Sequence, residues 1–590
     1  MTDLIIHGAK IWTGRLSRPT VQAVAVRGER IEAVGSDAEI RRLAGPRTET
    51  IDARGRLVLP GFIDAHVHLL SGGLGLLGGD LRPARDEREF TAILRRHVER
   101  TPAGEWITGG RWDHESWPSR RRPARGLIDP FTAGHPVLVS RLDGHMALAN
   151  TLALKLAGIG PNTPDPPGGQ IERDERGEPT GILVDAALEL ARRVIPPPGE
   201  EQLLRAARAA MSHAAALGVT SVHSTVDRTE FLFLRRLHER GELATRVYAL
   251  PEVSAWRGLK EEGLLPYPGG KTVHRAEAVA AEAAAAAAAE EEEEEEEEER
   301  GQDARGTQGR DALATHGRDA RDTLRARGVK VFADGSLGAG SALFSEPYCD
   351  NPSSCGLAIY PEEELRKIIF EIYAAGLQVA LHAIGDKAIR WALDAFERLP
   401  WLRQTTTQTT APIATAPCGK RHRIEHAQMV RPEDRARFAA LGVLASIQPS
   451  HCIDDLRWVE RRMGERTQWA YPYRSLLDGG AAVALGTDWP VETLDPMLPL
   501  YAAVTRELPS GGPHGGWHGE ERVSIEEAIR GYTLGAAHAE FQEDEKGTIE
   551  PGKLADMVIL SRDILTIPPR EILSTKAEMA ILGGRVVHQR

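Results

Sequence analysis

Two histidines one residue apart close the run Leu57-Val58-Leu59-Pro60-Gly61-Phe62-Ile63-Asp64-Ala65-His66-Val67-His68. On an extended strand, residues i and i+2 face the same way, so His66 and His68 aim two imidazoles at one point just past a buried strand. Imidazole is the commonest metal-ligating side chain and suits zinc. Taken alone, the pair is equally compatible with two histidines on a surface loop. Three further residues of ligand type also close apolar runs: His382 in Gln378–His382, His426 in Arg423–His426 and Asp488 in Ala482–Asp488. Imidazoles and a carboxylate converging from several strand ends have the composition of a catalytic metal site.

The elements that would position them form a simple pattern. Eight candidate strands run through the middle of the chain: Leu57–His68, Pro136–Arg141, Val219–His223, Val329–Asp334, Gln378–His382, Arg423–His426, Val443–Gln448 and Ala482–Asp488. Helical stretches lie between several of them. One starts near Asp86, whose offset to Glu89 fits a capping box; others span Glu200–Leu217 and Glu362–Ala375. Alternating strands and helices indicate α/β architecture with parallel strands, and eight strands fit a (β/α)8 TIM-like barrel, whose active site lies at the strands' C-terminal ends.

Both chain ends are β-rich and punctuated by glycine, as in Ala23–Gly35 and Ala577–Val587. Residues 1–56 and 545–590 are therefore expected to form one small β-sandwich domain, flanking a barrel over 57–544. A low-complexity insertion at 276–322, alanine-rich and then polyglutamate, has too few apolar residues to join a core and is expected to be solvated. Thr405–Pro417 reads as a second solvated insertion.

Composition narrows the function classes. The formal charge of -12 owes most of its size to ten consecutive glutamates, Glu290–Glu299. No basic field suited to nucleic acid remains. Cys349, Cys355, Cys418 and Cys452 lack C-x-x-C spacing and read as free thiols of a reducing compartment. The first residues lack a basic and then apolar leader, and no run approaches the ~18 apolar residues of a membrane span. A cytoplasmic enzyme without membrane attachment is expected. Nothing sets the oligomeric state, and a homodimer stays open.

Seven motifs carry a resemblance: Pro60–His68, Asp143-Gly144-His145, Phe332–Gly338, Leu381–Asp386, Arg423-Ile424-Glu425-His426, Gly486-Thr487-Asp488 and Gly547–Asp556. In these the chain resembles the amidohydrolase superfamily, and within it the amidohydrolase-3 group of YtcJ-like hydrolases, which includes N-substituted formamide deformylase. The resemblance implies a metal-dependent hydrolase of carbon–nitrogen bonds other than peptide bonds, acting on a small molecule. It matches His66, His68 and Asp488 to one divalent metal and His382 and His426 to a second, with Zn²⁺ the first choice and one or two ions per subunit. Lys330 matches a bridging lysine that is carboxylated in many relatives. An ammonium cannot bridge two cations, whereas a carbamate is an anionic two-oxygen ligand. Lys330 lies four residues before Asp334, ~13 Å along a strand, which is deep for a strand-end ligand.

The expected chemistry is attack by a metal-activated hydroxide on an amide, formamide or cyclic amide. A bound divalent metal lowers the pKa of water to roughly 7. Asp488 would shuttle the proton to the leaving nitrogen. His145, in the loop after the second strand, either stabilises the oxyanion or merely packs. His223, Asp334 and His451 are weaker candidates near strand ends. Trp489 reads as a pocket wall, and His422 as structural. A deaminase on the same frame is the alternative, and a catalytically inactive binding protein a remote one. Specificity is expected in the loops Leu69–Arg85, Arg141–Arg176 and Ser450–Tyr473.

Overall fold

A computed structural model describes residues 2–590 except 16, 18, 115–116, 142–145, 167–168, 186, 268–322 and 400–420. The two expected insertions, Cys418 and the Asp143-Gly144-His145 motif, with the role considered for His145, lie outside the described residues.

Eight parallel strands occupy the middle of the chain. Numbered among themselves they are β1 (Phe62–Val67), β2 (Val219–Val226), β3 (Arg246–Pro251), β4 (Gly328–Phe332), β5 (Gln378–Ala383), β6 (Arg423–His426), β7 (Leu444–Ile447) and β8 (Val483–Leu485). β1, β2 and β3 are neighbours in one sheet, and β4 to β8 follow one another in a second. Two sets of contacts link the sheets. Leu324–Arg325, just before β4, pairs with β3, and Glu252 after β3 bridges Lys330 in β4. At the other edge Val67 of β1 bridges Trp489, just past β8. The chain is thus mixed α/β with parallel sheets. β1 and β2 are buried along their whole length, as strands covered on both faces must be.

The covering helices are amphipathic. Asp386–Glu397, between β5 and β6, buries Ala388, Ile389, Ala392, Leu393 and Phe396. That spacing is one helical stripe, and each large side chain in it contributes about 2 kcal/mol by leaving water. The expected helices near Asp86, Glu200 and Glu362 are present as Glu87–Val98, Glu200–Ala216 and Glu362–Ala374. Asp86 caps the first by accepting from Glu89 N–H at 2.7 Å. The capping box is not completed, because Glu89 accepts instead from the Arg85 backbone N–H and guanidinium.

Two strand expectations are corrected. Leu57–His68 is not one strand. It divides at Gly61: Leu57–Pro60 pairs antiparallel with Met557–Leu560, Val58 facing Ile559, whereas Phe62–Val67 pairs with β2. A Cβ on Gly61 would lie 2.3 Å from Thr220 Oγ1, so glycine lets the chain pass between sheets at this point. The second correction concerns Pro136–Arg141, expected as the second barrel strand. Leu138–Arg141 belongs to a separate six-stranded mixed sheet that also takes Gly79–Asp80, Gly109–Trp112, Met146–Ala149, Gly169–Arg173 and Pro179–Asp185. An apolar run specifies a strand and leaves its sheet open. The place is filled by Val219–Val226, and Arg246–Pro251 supplies the strand that the sequence reading lacked.

The chain ends share a sheet. Its six strands run in the order Arg585–Gln589, Ala577–Leu582, Met557–Leu560, Leu57–Pro60, Lys10–Trp12, Thr20–Val21. A four-stranded sheet of Arg30–Gly35, Ala23–Arg27, Leu4–His7 and Glu49–Asp52 accompanies it. Ile6, Val24 and Val26 of the smaller sheet share one apolar cluster with Ile11, Val58 and Ile559 of the larger. Cys349, Cys355 and Cys452 are free thiols. Among the described residues no helix is long and apolar enough to cross a membrane.

Candidate metal centre

The six expected ligands converge past the C-terminal ends of the parallel strands. His66 lies near the end of β1, with Nε2 3.6 Å from Asp488 Oδ1. His68 lies just beyond the strand and brings Nε2 to 3.4 Å from the same oxygen. His426 closes β6, its ring 4.9 Å from that of His66 and 4.5 Å from that of His382 on β5. Lys330 sits mid-strand on β4, yet its Nζ reaches 3.3 Å from His66 Nε2. The long lysine stem thus compensates for the depth at which its backbone lies.

Donor atoms of His66, His426 and Asp488 all lie within 4.8 Å of one another. This trio adds His426 to the expected first set, whose His66 and His68 stand 3.6 and 3.4 Å from Asp488 Oδ1. His382 turns its Nε2 toward the Gly335 carbonyl, 3.2 Å away.

Local backbone and hydrogen bonds hold these groups. His426 and Asp488 both have left-handed backbones, with φ 73° and 60°. At the end of β6 this breaks the strand's alternation, so Glu425 and His426 both meet His66. His426 Nδ1 is 2.8 Å from Gln448 Oε1. An amide oxygen accepts, so that nitrogen carries the proton and Nε2 is left as a donor atom for a ligand. Asp488 N–H donates to the His66 carbonyl at 2.7 Å, which pins the end of β8 against β1. Below them Asp64, fully buried, accepts from Thr487 Oγ1, Thr487 N–H and His66 N–H at 2.7, 3.0 and 3.1 Å.

Burial dominates the electrostatics. It lowers His66 to about 4 and His382 to about 3, with Lys330 adding to both shifts. His426 is pushed well below the ordinary histidine range by burial and by its imidazole neighbours. These three rings are therefore neutral at pH 7, the form that ligates metal. Burial also brings Lys330 down to about 8, although Glu425 and Asp488 oppose the shift. Burial alone would raise Asp488, but the surrounding imidazoles, His66 foremost, hold it below the ordinary carboxylate range.

The donor set fits a divalent cation. Asp488 Oδ1 is buried with no donor aligned on it among the described residues, and His451 Nε2 is in the same condition beside it. Two neutral imidazoles and an ionised carboxylate in mutual reach supply the nitrogen and oxygen ligands that Zn²⁺ accepts.

The weaker candidates separate clearly. Asp334 accepts three backbone N–H bonds, from Leu343, Ile384 and Gly385. It staples the loop after β4 to the end of β5, with Oδ1 3.6 Å from His382 Nε2. His223 does not end its strand, because β2 continues to Val226. It is buried against Arg423, with Nδ1 2.8 Å from that guanidinium, and does not face the mouth. His422 accepts from Val379 N–H and stacks on Phe396, a structural role. His451 stacks on His426 at 5.9 Å and lies 3.9 Å from Asp488 Oδ2. Trp489 is buried against the helix Leu69–Leu77, where a Cβ on Gly72 would come within 2.3 Å of its ring.

Sequence reasoning missed Glu425, Arg423, Asp64 and Gln448. Glu425 Oε2 lies 2.5 Å from His66 Nδ1, and Arg423 clasps Glu425. A signal existed: Arg423 and Glu425 alternate along an apolar strand, share one face, and are an improbable pair to bury without purpose.

Neutral imidazoles around an ionised carboxylate, at the ends of parallel strands, place the molecule among metal-dependent hydrolases. The chain belongs to the amidohydrolase family, whose model matches residues 49–588. Protein LONG AFTER FAR-RED 3 of Arabidopsis thaliana is 34% identical, the match covering 95% of this chain and 87% of that one. The putative amidohydrolase YtcJ of Bacillus subtilis is 28% identical, over 99% of each chain. N-substituted formamide deformylase of Arthrobacter pascens is 27% identical over 100% of this chain and 99% of its own. Among solved structures, a metal-dependent hydrolase from Pyrococcus horikoshii superposes with a TM-score of 0.71 at 28% identity, covering 96% of this chain and 99% of that one.

Proposed function

We propose that this chain is an amidohydrolase that uses a bound divalent metal, Zn²⁺ first among candidates, to cleave a small-molecule C–N bond of the amide, formamide or cyclic amide type. The observation that carries the reading is the convergence of His66, His426 and Asp488 within 4.8 Å, with Lys330 Nζ beside them. The formamide deformylase relative makes N-substituted formamides the first substrates to try. We read the two parallel sheets and their bridging contacts as a (β/α)8 barrel, and the two end sheets as a sandwich whose border with it lies at Gly61.

His66, His68, His426, His382 and Asp488 would hold the metal, and Lys330 as a carbamate would join two ions. The metal would supply a polarised carbonyl and a water acidified toward a pKa of about 7. The protein's own groups do the rest. Lys330, brought down to about 8, has enough neutral amine to add to CO₂; the nitrogen forms the N–C bond and releases a proton. Asp488 accepts the proton of the attacking water and delivers it to the leaving nitrogen, which would otherwise depart as an unstable anion.

The test is a hydrolysis screen of N-formyl, N-acyl and cyclic amide compounds with metal-reconstituted protein, alongside metal analysis. Stoichiometric metal and chelator-sensitive release of an amine are expected. Activity that survives full metal removal would sink the reading.

A further inference from the structure

The reading of His66 as a metal ligand leaves a question: what holds a two-faced ring with one particular nitrogen toward the centre? We propose that Glu425, held in place by Arg423, is a positioning residue that fixes His66 in the tautomer whose Nε2 faces the metal. The inference rests on the proposed metal reading and adds a residue to it.

His66 Nδ1 is 2.5 Å from Glu425 Oε2. A carboxylate only accepts, so Nδ1 carries the hydrogen and Nε2 presents its lone pair. Nε2 is the atom that lies near Asp488 and Lys330. Glu425 has little freedom to turn away. Arg423 Nε donates to its Oε1, and Nη2 donates to Oε2 at 3.0 Å. Arg423 is itself held by three other strands: Nη2 lies 2.6 Å from the Ala65 carbonyl of β1 and 2.8 Å from Ser446 Oγ of β7, and Nη1 lies 2.8 Å from His223 Nδ1 of β2. Both side chains are wholly inaccessible to solvent. Beyond His223, Glu540 lies 3.4 Å from its Nε2 and meets Lys546 at 2.7 Å.

A purely structural role would not require this chemistry. Burying an ion pair costs desolvation that its attraction only partly repays, and apolar side chains of similar volume commonly pack as well or better. The pair is placed where its outer oxygen meets a ligand's far nitrogen. Carboxylates in that position orient metal-binding histidines and raise their basicity.

The experiment uses the full chain stripped of metal: wild type, Glu425→Asp and Glu425→Gln, titrated with Co²⁺ and followed by its visible absorption and by thermal unfolding. Aspartate keeps the charge for Arg423 but withdraws from His66, so Glu425→Asp should unfold near the wild-type temperature while Co²⁺ affinity falls about 10–100-fold. Glu425→Gln should lose affinity as well. A Co²⁺ affinity in folded Glu425→Asp within about twofold of wild type overturns the proposal and leaves the metal reading standing. A wild type that takes up no Co²⁺ overturns the metal reading, and the proposal with it. A readout independent of the variants' folding comes from metal-free wild type labelled with ¹⁵N-histidine, the His66 signals assigned by their loss in His66→Asn. The Nδ1–H tautomer is expected; the Nε2–H tautomer overturns the proposal.

Discussion

The Thr487 hydroxyl donates to Asp64 at 2.7 Å, and the Thr487 N–H donates to the same carboxylate at 3.0 Å. One aspartate on β1 thereby grips the end of β8, and Asp488 follows directly. Burial pushes Asp64 up to about 7, so this grip is a costly group kept in place by its donors. Thr487→Val keeps the shape and removes one donor, and it also deprives Trp489 N–H of its acceptor at 3.2 Å. A loss of about 1–3 kcal/mol is expected, read by urea unfolding. A change indistinguishable from zero would show that the bond does not hold the strand end.

Asp488→Asn tests the proton shuttle. The amide cannot carry the proton from water to the leaving nitrogen. With metal resupplied in excess, kcat should fall about 10²–10⁴-fold. An unchanged kcat would move the shuttle to another residue, with His451, 3.9 Å away and outside the proposed ligand set, the first candidate.

Lys330→Ala tests the carbamate. It should abolish turnover and leave a space beside His66. Acetate or propionate, small enough to enter and able to offer two oxygens, should restore part of the activity in a saturable way. Full activity in Lys330→Ala without added acid would dismiss a bridging role.

Asp455 gives a pH signature away from the ligands. Burial raises it from 3.8 to about 7, against the Tyr471 and Gln428 donors that favour its charged form. The folded state therefore holds this proton to higher pH than the unfolded chain does. The associated stability is complete below about 3.8 and is lost as pH rises through about 7. Asp455→Asn should be more stable than wild type at pH 8, by about 1–3 kcal/mol, with the gain fading toward pH 4. Thermal melts across that range check it; a gain of equal size at both ends would contradict the assignment.

The ligand-type residues were legible in sequence because strand geometry makes their spacing informative. His66, His382, His426 and Asp488 each stand where an apolar run stops, and the strands bring those stops together. What supports them was hidden for physical reasons. Glu425 and Arg423 look like an ordinary charged pair until burial is known, and Asp64 reads as one polar residue within a strand. Arg246–Pro251 is a short apolar strand with no ligand-type residue to single it out. Leu138–Arg141 was misplaced because its partner Met146–Ala149 is antiparallel, and one strand's composition does not state its neighbour's direction. The approach of His426 to His66 and Asp488 depends on backbone turns such as that at His426, which no spacing rule supplies.

Those turns carry a backbone cost. At φ 73° and 60°, His426 and Asp488 occupy backbone that glycine adopts freely and that costs other residues about 1 kcal/mol each. Eight other described non-glycine residues share such backbone, and these two are the ones that hold candidate donors. Glycine at either position would relieve that backbone cost and remove the donor with it. Backbone ease and ligand supply therefore oppose each other at these two positions.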